Sequence, residues 1–242
     1  MESIYGHDLA YIQAVAFGEI AQGAAAKIVR RLQRSTTRIR RVIDIGCGAG
    51  QLSKALTDAG FDVTGVDTSA ELLQFARMNA PKAHFIHASA YDVELQTYDA
   101  VVALGEPLTY HDDTTQAEHL VSRFFQRVAG TLPVGGLLIF DVIGLGESSL
   151  VGRTWKSGED WAVLVETTED RNQKTLLRNI EIFRRVDGLY RRGREVHRVR
   201  LFDVTRLCDE LVSYGFRIET AQSYGTQPLP PRRHAIFATR IG

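Results

Sequence analysis

Apolar positions along the chain recur at two periods that alternate with one another, and the alternation outlines an architecture before any motif is considered. From about Asp8 to Leu32, Ile12, Val15, Ala16, Ile20 and Ile28 fall at helical spacing and predict a leading helix, with Gly23 as its expected break. Val42-Ile43-Asp44-Ile45 then reads as a strand running into Gly46-Cys47-Gly48-Ala49-Gly50. Leu52, Ala55, Leu56 and Ala59 supply one face of a following helix that Gly60 stops, and Phe61 to Val66 reads as a second strand. The rhythm continues with a helix over Ser69 to Asn79, strands over Ala83 to His87 and Tyr98 to Leu104, a helix over Thr114 to Thr131 and a strand over Gly136 to Val142. After Gly144 it changes to strand-like alternation with no helix until about Asp203, and Asp187-Gly188 between two such runs is a two-residue hairpin signal. Val204 to Tyr214 predicts a helix ended by Gly215; strands over Phe216 to Ala221 and His234 to Arg240 flank the loop Pro228-Leu229-Pro230-Pro231.

Strand, helix, strand units in series require a parallel sheet covered on both faces, with ligands at the carboxyl ends of its strands. The expected fold is therefore α/β: a doubly wound, mostly parallel seven-stranded sheet with an antiparallel β insertion. Three segments follow: residues 1–144 as core with an N-terminal helix, 145–202 as the insertion, and 203–242 as the remainder of the core.

Composition narrows the function. The 242 residues are 44% hydrophobic and 24% charged, an ordinary globular balance with enough apolar material for a large core. No apolar run approaches the roughly 20 residues of a spanning helix, and the first residues lack a basic start followed by an apolar stretch, so the expectation is a cytoplasmic protein off the membrane. A formal net charge of zero argues against general affinity for nucleic acid. The two cysteines, Cys47 and Cys208, and the scattered histidines have no metal-ligand spacing, so no metal is expected.

The chemistry concentrates in the first strand-to-helix turn, where glycines let backbone amides approach a ligand and the next helix offers its positive end. Asp67 at the end of the second strand is placed to accept hydrogen bonds from ribose hydroxyls, as in dinucleotide sites. Asp44 beside the turn would oppose a pyrophosphate but suits a ligand carrying an ammonium and a sulfonium. The glycine spacing, Gly46-x-Gly48-x-Gly50, also differs from the Gly-x-Gly-x-x-Gly of nicotinamide sites.

The run from Val42 to Gly50, together with Gly65-Val66-Asp67-Thr68-Ser69, resembles the class I (Rossmann-like) S-adenosylmethionine-dependent methyltransferases. Tyr98 to Leu104 resembles that family's fourth strand, and Leu132 to Ile139 its turn into the fifth, so the likeness spans about Arg41 to Val142. The resemblance implies S-adenosylmethionine as cofactor. By it, Gly46, Cys47 and Gly48 pass the methionine part, Asp67 holds the ribose, Thr68 and Leu72 flank the adenine, and Leu104 and Gly105 lie near the methionine moiety. Where many members have an acid near the adenine amino group, this chain has Ser89 and Ala90. Tyr5 and Tyr11 either close over the site, as N-terminal aromatics do in similar enzymes, or are ordinary packing tyrosines.

Glu106, Tyr110 and His111 follow the fourth strand, whose end borders the reaction zone in similar enzymes; Glu106 and His111 are the candidate bases, with Tyr110 beside them. Gly105-Glu106-Pro107-Leu108 lacks the pattern of amino-methylating nucleic-acid enzymes. Trp155, Trp161 and Arg198 in the insertion either line an acceptor pocket or pack and solvate it. The insertion's position is reminiscent of small-molecule N-methyltransferases. The expected partner is therefore a small-molecule methyl acceptor, amine or hydroxyl, with a homodimer left open. A nicotinamide-dependent oxidoreductase and a non-catalytic S-adenosylmethionine-binding protein are the alternatives.

Overall fold

The computed structural model describes residues 5–95, 98–110 and 116–242. Two helices open the chain, α1 (His7–Ala16) and α2 (Glu19–Gln33). A Rossmann-type alternation follows: β1 (Arg41–Ile45), α3 (Gln51–Asp58), β2 (Asp62–Asp67), α4 (Ala70–Asn79), β3 (His84–His87), β4 (Ala100–Ala103), α5 (Ala117–Thr131) and β5 (Leu137–Ile143). Four long strands come next, β6 (Gly152–Ser157), β7 (Trp161–Asp170), β8 (Thr175–Val186) and β9 (Leu189–Arg200). The chain closes with α6 (Val204–Ser213), β10 (Phe216–Ala221), the short pair β11 (Ser223–Tyr224) and β12 (Gln227–Pro228), and β13 (Arg233–Arg240).

The main sheet has seven strands in the order β10-β13-β5-β4-β1-β2-β3. The pairs from β5 across to β3 are parallel, and β13 runs antiparallel to both of its neighbours. Strands β4 and β5 are buried along their whole length, and β1 at all but its first residue, as expected for central strands covered on both faces. Because alternate side chains point to opposite faces, Ile43, Val101 and Leu138 meet Phe124, Phe125 and Val128 of α5 on one side. Val42, Val102 and Ile139 meet Ile28, Leu32 and Leu56 of α2 and α3 on the other. Strand order reverses between β1 and β4, which opens a crevice at their carboxyl ends.

The insertion is a separate antiparallel sheet, β6-β7-β8-β9. Asp187 and Gly188 both have positive φ, 52° and 81°, the geometry of a two-residue primed turn between β8 and β9. Its inner face meets the main sheet near its base, where Leu176 and Val199 pack with Ile143 of β5. Trp161, Val163, Ile180 and Ile182 instead bury Leu9 and Ile12 of α1. Isolated bridges at Tyr110↔Val199 and Gly144↔Phe202 join its base to the core loops.

Three details depart from the sequence reading. The leading helix breaks at Phe17-Gly18, not at Gly23, which lies inside α2. Gly23 is there for close approach: a Cβ on it would fall 2.2 Å from Oε1 of Gln227. The 3-10 turn Pro107–Thr109 and the β11-β12 pair were too short for periodicity to register. Among the described residues no helix is long and apolar enough to cross a membrane.

Candidate functional site

The glycine turn owes its shape to left-handed backbone at Gly46, Gly48 and Gly50, with φ of 65°, 53° and 81°. Gly46 is further constrained because a Cβ there would meet Pro107 Cβ at 2.3 Å, so this turn and the loop after β4 are in direct contact. At Gly48 and Gly105 a Cβ would meet nothing within 4 Å: both glycines face open space. That space is a cavity of about 1210 Å³ at the carboxyl ends of β1, β2 and β4.

Its walls gather most of the residues singled out from sequence. Tyr5, Gly46, Cys47, Gly48, Asp67, Thr68, Leu72, Ser89, Ala90, Leu104, Gly105, Tyr110 and Arg198 all line it. Asp67 is positioned at the end of β2 and at the start of α4, where Ser69 caps the helix by accepting from Leu72 N–H at 3.1 Å. The Asp67 carboxylate accepts from the backbone N–H of Gly48 at 2.8 Å and of Ser69 at 2.9 Å. Burial raises its pKa above the ordinary carboxylate value, and those N–H groups pull it back down in part.

Other candidates are placed differently. Asp44 is buried in β1 and turned to Ser53 Oγ at 2.6 Å, so it acts on the cavity through its field and not by contact. Burial, reinforced by the neighbouring Asp67 and opposed by Ser53, pushes its pKa up to about 7. Tyr11 is outside the cavity, donating to Asp160 at 3.1 Å with the Arg184 guanidinium 3.7 Å above its ring. Trp155 is also outside: its pairing with Leu164 directs it to the outer face of the insertion, where it is 75% exposed. His111 lies outside the described residues.

Glu106 sits behind the cavity wall. It has left-handed backbone, φ 63°, and its N–H and that of Gly105 donate to Asp141 at 2.9 and 3.0 Å. Its carboxylate pairs with Arg178 of β8 at 2.6 Å and Arg233 of β13 at 2.7 Å. Burial works against its charge, but the two guanidinium groups outweigh burial and bring the pKa down to about 2. Such a carboxylate is a poor proton acceptor at neutral pH, and its surroundings favour a positioning role. Tyr110 contacts both members of the nearer pair, at 3.4 Å from Glu106 and 3.3 Å from Arg178.

Sequence reasoning missed Asp141, Arg178, Arg233 and Glu195. Asp141 had a visible signal, a lone acid in Leu137-Leu138-Ile139-Phe140-Asp141-Val142-Ile143, whose burial demands partners. The others come from strands whose facing depends on register.

A cradle of glycine backbone beside the buried Asp44 and the half-buried Asp67 favours a cationic ligand and disfavours a pyrophosphate. Residues 42–135 match the family profile described as a methyltransferase domain. YqeM of Bacillus subtilis (strain 168), named as a methyltransferase, is 27% identical over 207 residues, covering 81% of this chain and 82% of that protein. The chain is a methyltransferase, with residues 42–135 as its methyltransferase domain. Solved structures agree on the fold of this methyltransferase. A S-adenosylmethionine-dependent methyltransferase from Clostridium acetobutylicum ATCC 824 superposes with TM-score 0.77 at 16% identity, over 96% of this chain and 97% of that one. The sugar N-methyltransferase KedS8 from Streptoalloteichus sp. ATCC 53650 gives 0.74 at 22% identity, over 100% and 98%.

The residues of this methyltransferase fit its cofactor. The open faces of Gly48 and Gly105 admit a ligand against the backbone, and Asp67 presents a half-buried acceptor at the position suited to ribose.

Proposed function

We propose that the protein methylates a small-molecule amine held between the cofactor site and the insertion, residues 145–202, which serves as an acceptor lid. The observation that carries this reading is the size and lining of the cavity. At about 1210 Å³ it exceeds the roughly 300–1,000 Å³ of a single-ligand pocket, and its lining includes Val196 and Arg198 of β9 as well as the glycine turn. The cofactor supplies an activated methyl group, so the task of the chain is to hold a nucleophile in line and keep water out.

The side chains around the chamber suit an acceptor that brings its own lone pair. Glu106 is committed to Arg178 and Arg233, and burial raises the pKa of Tyr5 and of Tyr110. His87 faces the opposite end, its Nε2 2.9 Å from the Thr68 carbonyl. A neutral amine needs no base at the moment of attack, whereas a hydroxyl of ordinary acidity does. KedS8 is a sugar N-methyltransferase, and that acceptor class agrees with this preference. Arg198 has no ion-pair partner among the described residues and would meet an anionic or hydroxyl-rich part of the acceptor. Two copies would pair through the outer face of the insertion, where Trp155 and Leu164 are exposed.

The test is transfer of labelled methyl from S-adenosylmethionine to pooled small metabolites, followed by identification of the labelled product. An N-methylated small molecule whose KM rises in Arg198→Ala, with S-adenosylhomocysteine affinity unchanged, supports the reading. Label found only on protein or nucleic acid would overturn it.

A further inference from the structure

The start of the chain is tied to the insertion by more than its hydrophobic contact. Asp8 lies 3.1 Å from Arg184 and 2.5 Å from Arg191, which anchors the body of α1. One turn earlier the contacts change in kind. The two oxygens of Glu195 separately accept the backbone N–H groups of Tyr5 and Gly6, each at 2.9 Å. His197, 2% exposed, places Nε2 2.8 Å from the same carboxylate. Helix α1 has no capping side chain of its own at Gly6, so Glu195 satisfies donors that would otherwise be orphaned.

What this arrangement holds is Tyr5. Its φ of 61° is unfavourable for a residue with a side chain and persists only where the surroundings impose it. They do so from three sides. The Tyr5 N–H goes to Glu195 in the insertion, and its carbonyl accepts from Ser69 Oγ at 3.0 Å, two residues from Asp67. Its hydroxyl lies near that of Tyr110 after β4, and its ring packs edge-on to His197 with centroids 5.0 Å apart. One residue thus bridges the insertion, the cofactor loop and the β4 loop while lining the cavity.

We propose that Glu195, oriented by His197, is a positioning residue: a latch that fixes the segment before α1 across the chamber, so that Tyr5 roofs the cofactor and must be released for the cofactor to exchange. This rests on the reading of the cavity as the methyl-transfer site. Glu195 touches neither reactant, and its effect is exerted through the backbone of Tyr5 and Gly6. The carboxylate is required because both of its oxygens accept. A glutamine would turn an N–H₂ towards one of the two donors.

The measurement is the dissociation rate of S-adenosylhomocysteine by stopped-flow competition, together with hydrogen exchange of the Tyr5 and Gly6 amides. Glu195→Ala should speed dissociation by about tenfold or more, as expected for loss of two hydrogen bonds to a charged group, with Glu195→Gln intermediate. Deleting residues 1–6 should speed it to the same extent, and adding Glu195→Ala to the deletion should change nothing further. Asp8→Ala, which loosens α1 without touching Tyr5, separates a latch from general loosening and should leave the rate within about twofold of wild type. Unchanged dissociation in Glu195→Ala, equal acceleration in Asp8→Ala, or additivity with the deletion each overturns the latch. If wild type binds no S-adenosylhomocysteine, the cofactor reading fails by itself. The exchange data then decide the latch alone: faster exchange of the two amides in Glu195→Ala supports it, and unchanged exchange refutes it.

Discussion

Replacing Glu106 with glutamine removes the charge that two buried guanidinium groups share, and the structure sets the size of the effect. The carboxylate lies 2.6 Å from Arg178 and 2.7 Å from Arg233 and is 3% exposed, so solvent screens little of the interaction. A carboxyl pKa brought from 4.5 to about 2 corresponds to about 3 kcal/mol of folding stability at neutral pH. Independent experience with one partner removed from a buried ion pair gives a similar figure, about 3–5 kcal/mol. For a chain of this length that is a fall in Tm of roughly 6–12 °C. The sign with pH follows from the depressed pKa. The contribution is complete above 4.5 and is lost as pH falls from 4.5 towards about 2, so the gap between wild type and Glu106→Gln should close over that window. Differential scanning calorimetry at pH 7, with urea titrations between pH 2.5 and 7, measures both. A Tm within about 2 °C of wild type, or a stability gap that stays constant down to pH 2.5, would refute the reasoning.

Asp67→Asn should weaken S-adenosylhomocysteine by at least about tenfold in calorimetry while the fold is retained, because the amide accepts less strongly at the proposed ribose site. Asp44 behaves oppositely to Glu106: its pKa is raised from 3.8 to about 7, so stability should fall as pH rises through that interval. Asp44→Asn should be the more stable protein at pH 8, by an amount on the order of a few kcal/mol in urea titration. Gly46→Ala should lower Tm and abolish cofactor binding together, since the added methyl meets Pro107 at 2.3 Å on backbone already in the left-handed region.

The parallel core was legible because its signals are local. Each strand-to-helix unit carries its own apolar period and its own stop, and the motif residues Gly46, Gly48 and Asp67 meet in space through the connectivity that the fold itself imposes. The acceptor side was less legible. Arg178, His197 and Glu195 share the inner face of the insertion while Trp155 faces outward, and nothing in an arginine-rich run of alternating residues fixes that parity. Asp44 was readable as an acid beside the glycine turn. Its rotation towards Ser53, nine residues on, depends on where α3 packs. Tyr5 was singled out for its position near the start of the chain, but its anchor is 190 residues away.

That separation bears on how the protein is made. During synthesis the parallel core can collapse as soon as β5 has emerged, but α1 must wait for β7 and β8 to cover Leu9 and Ile12, and Tyr5 must wait for β9. Helix α1, which emerges before the parallel core, is therefore among the last elements to be seated. A nascent chain stalled before residue 195 should already protect β1 to β5 from proteolysis while its leading segment is still open to cleavage.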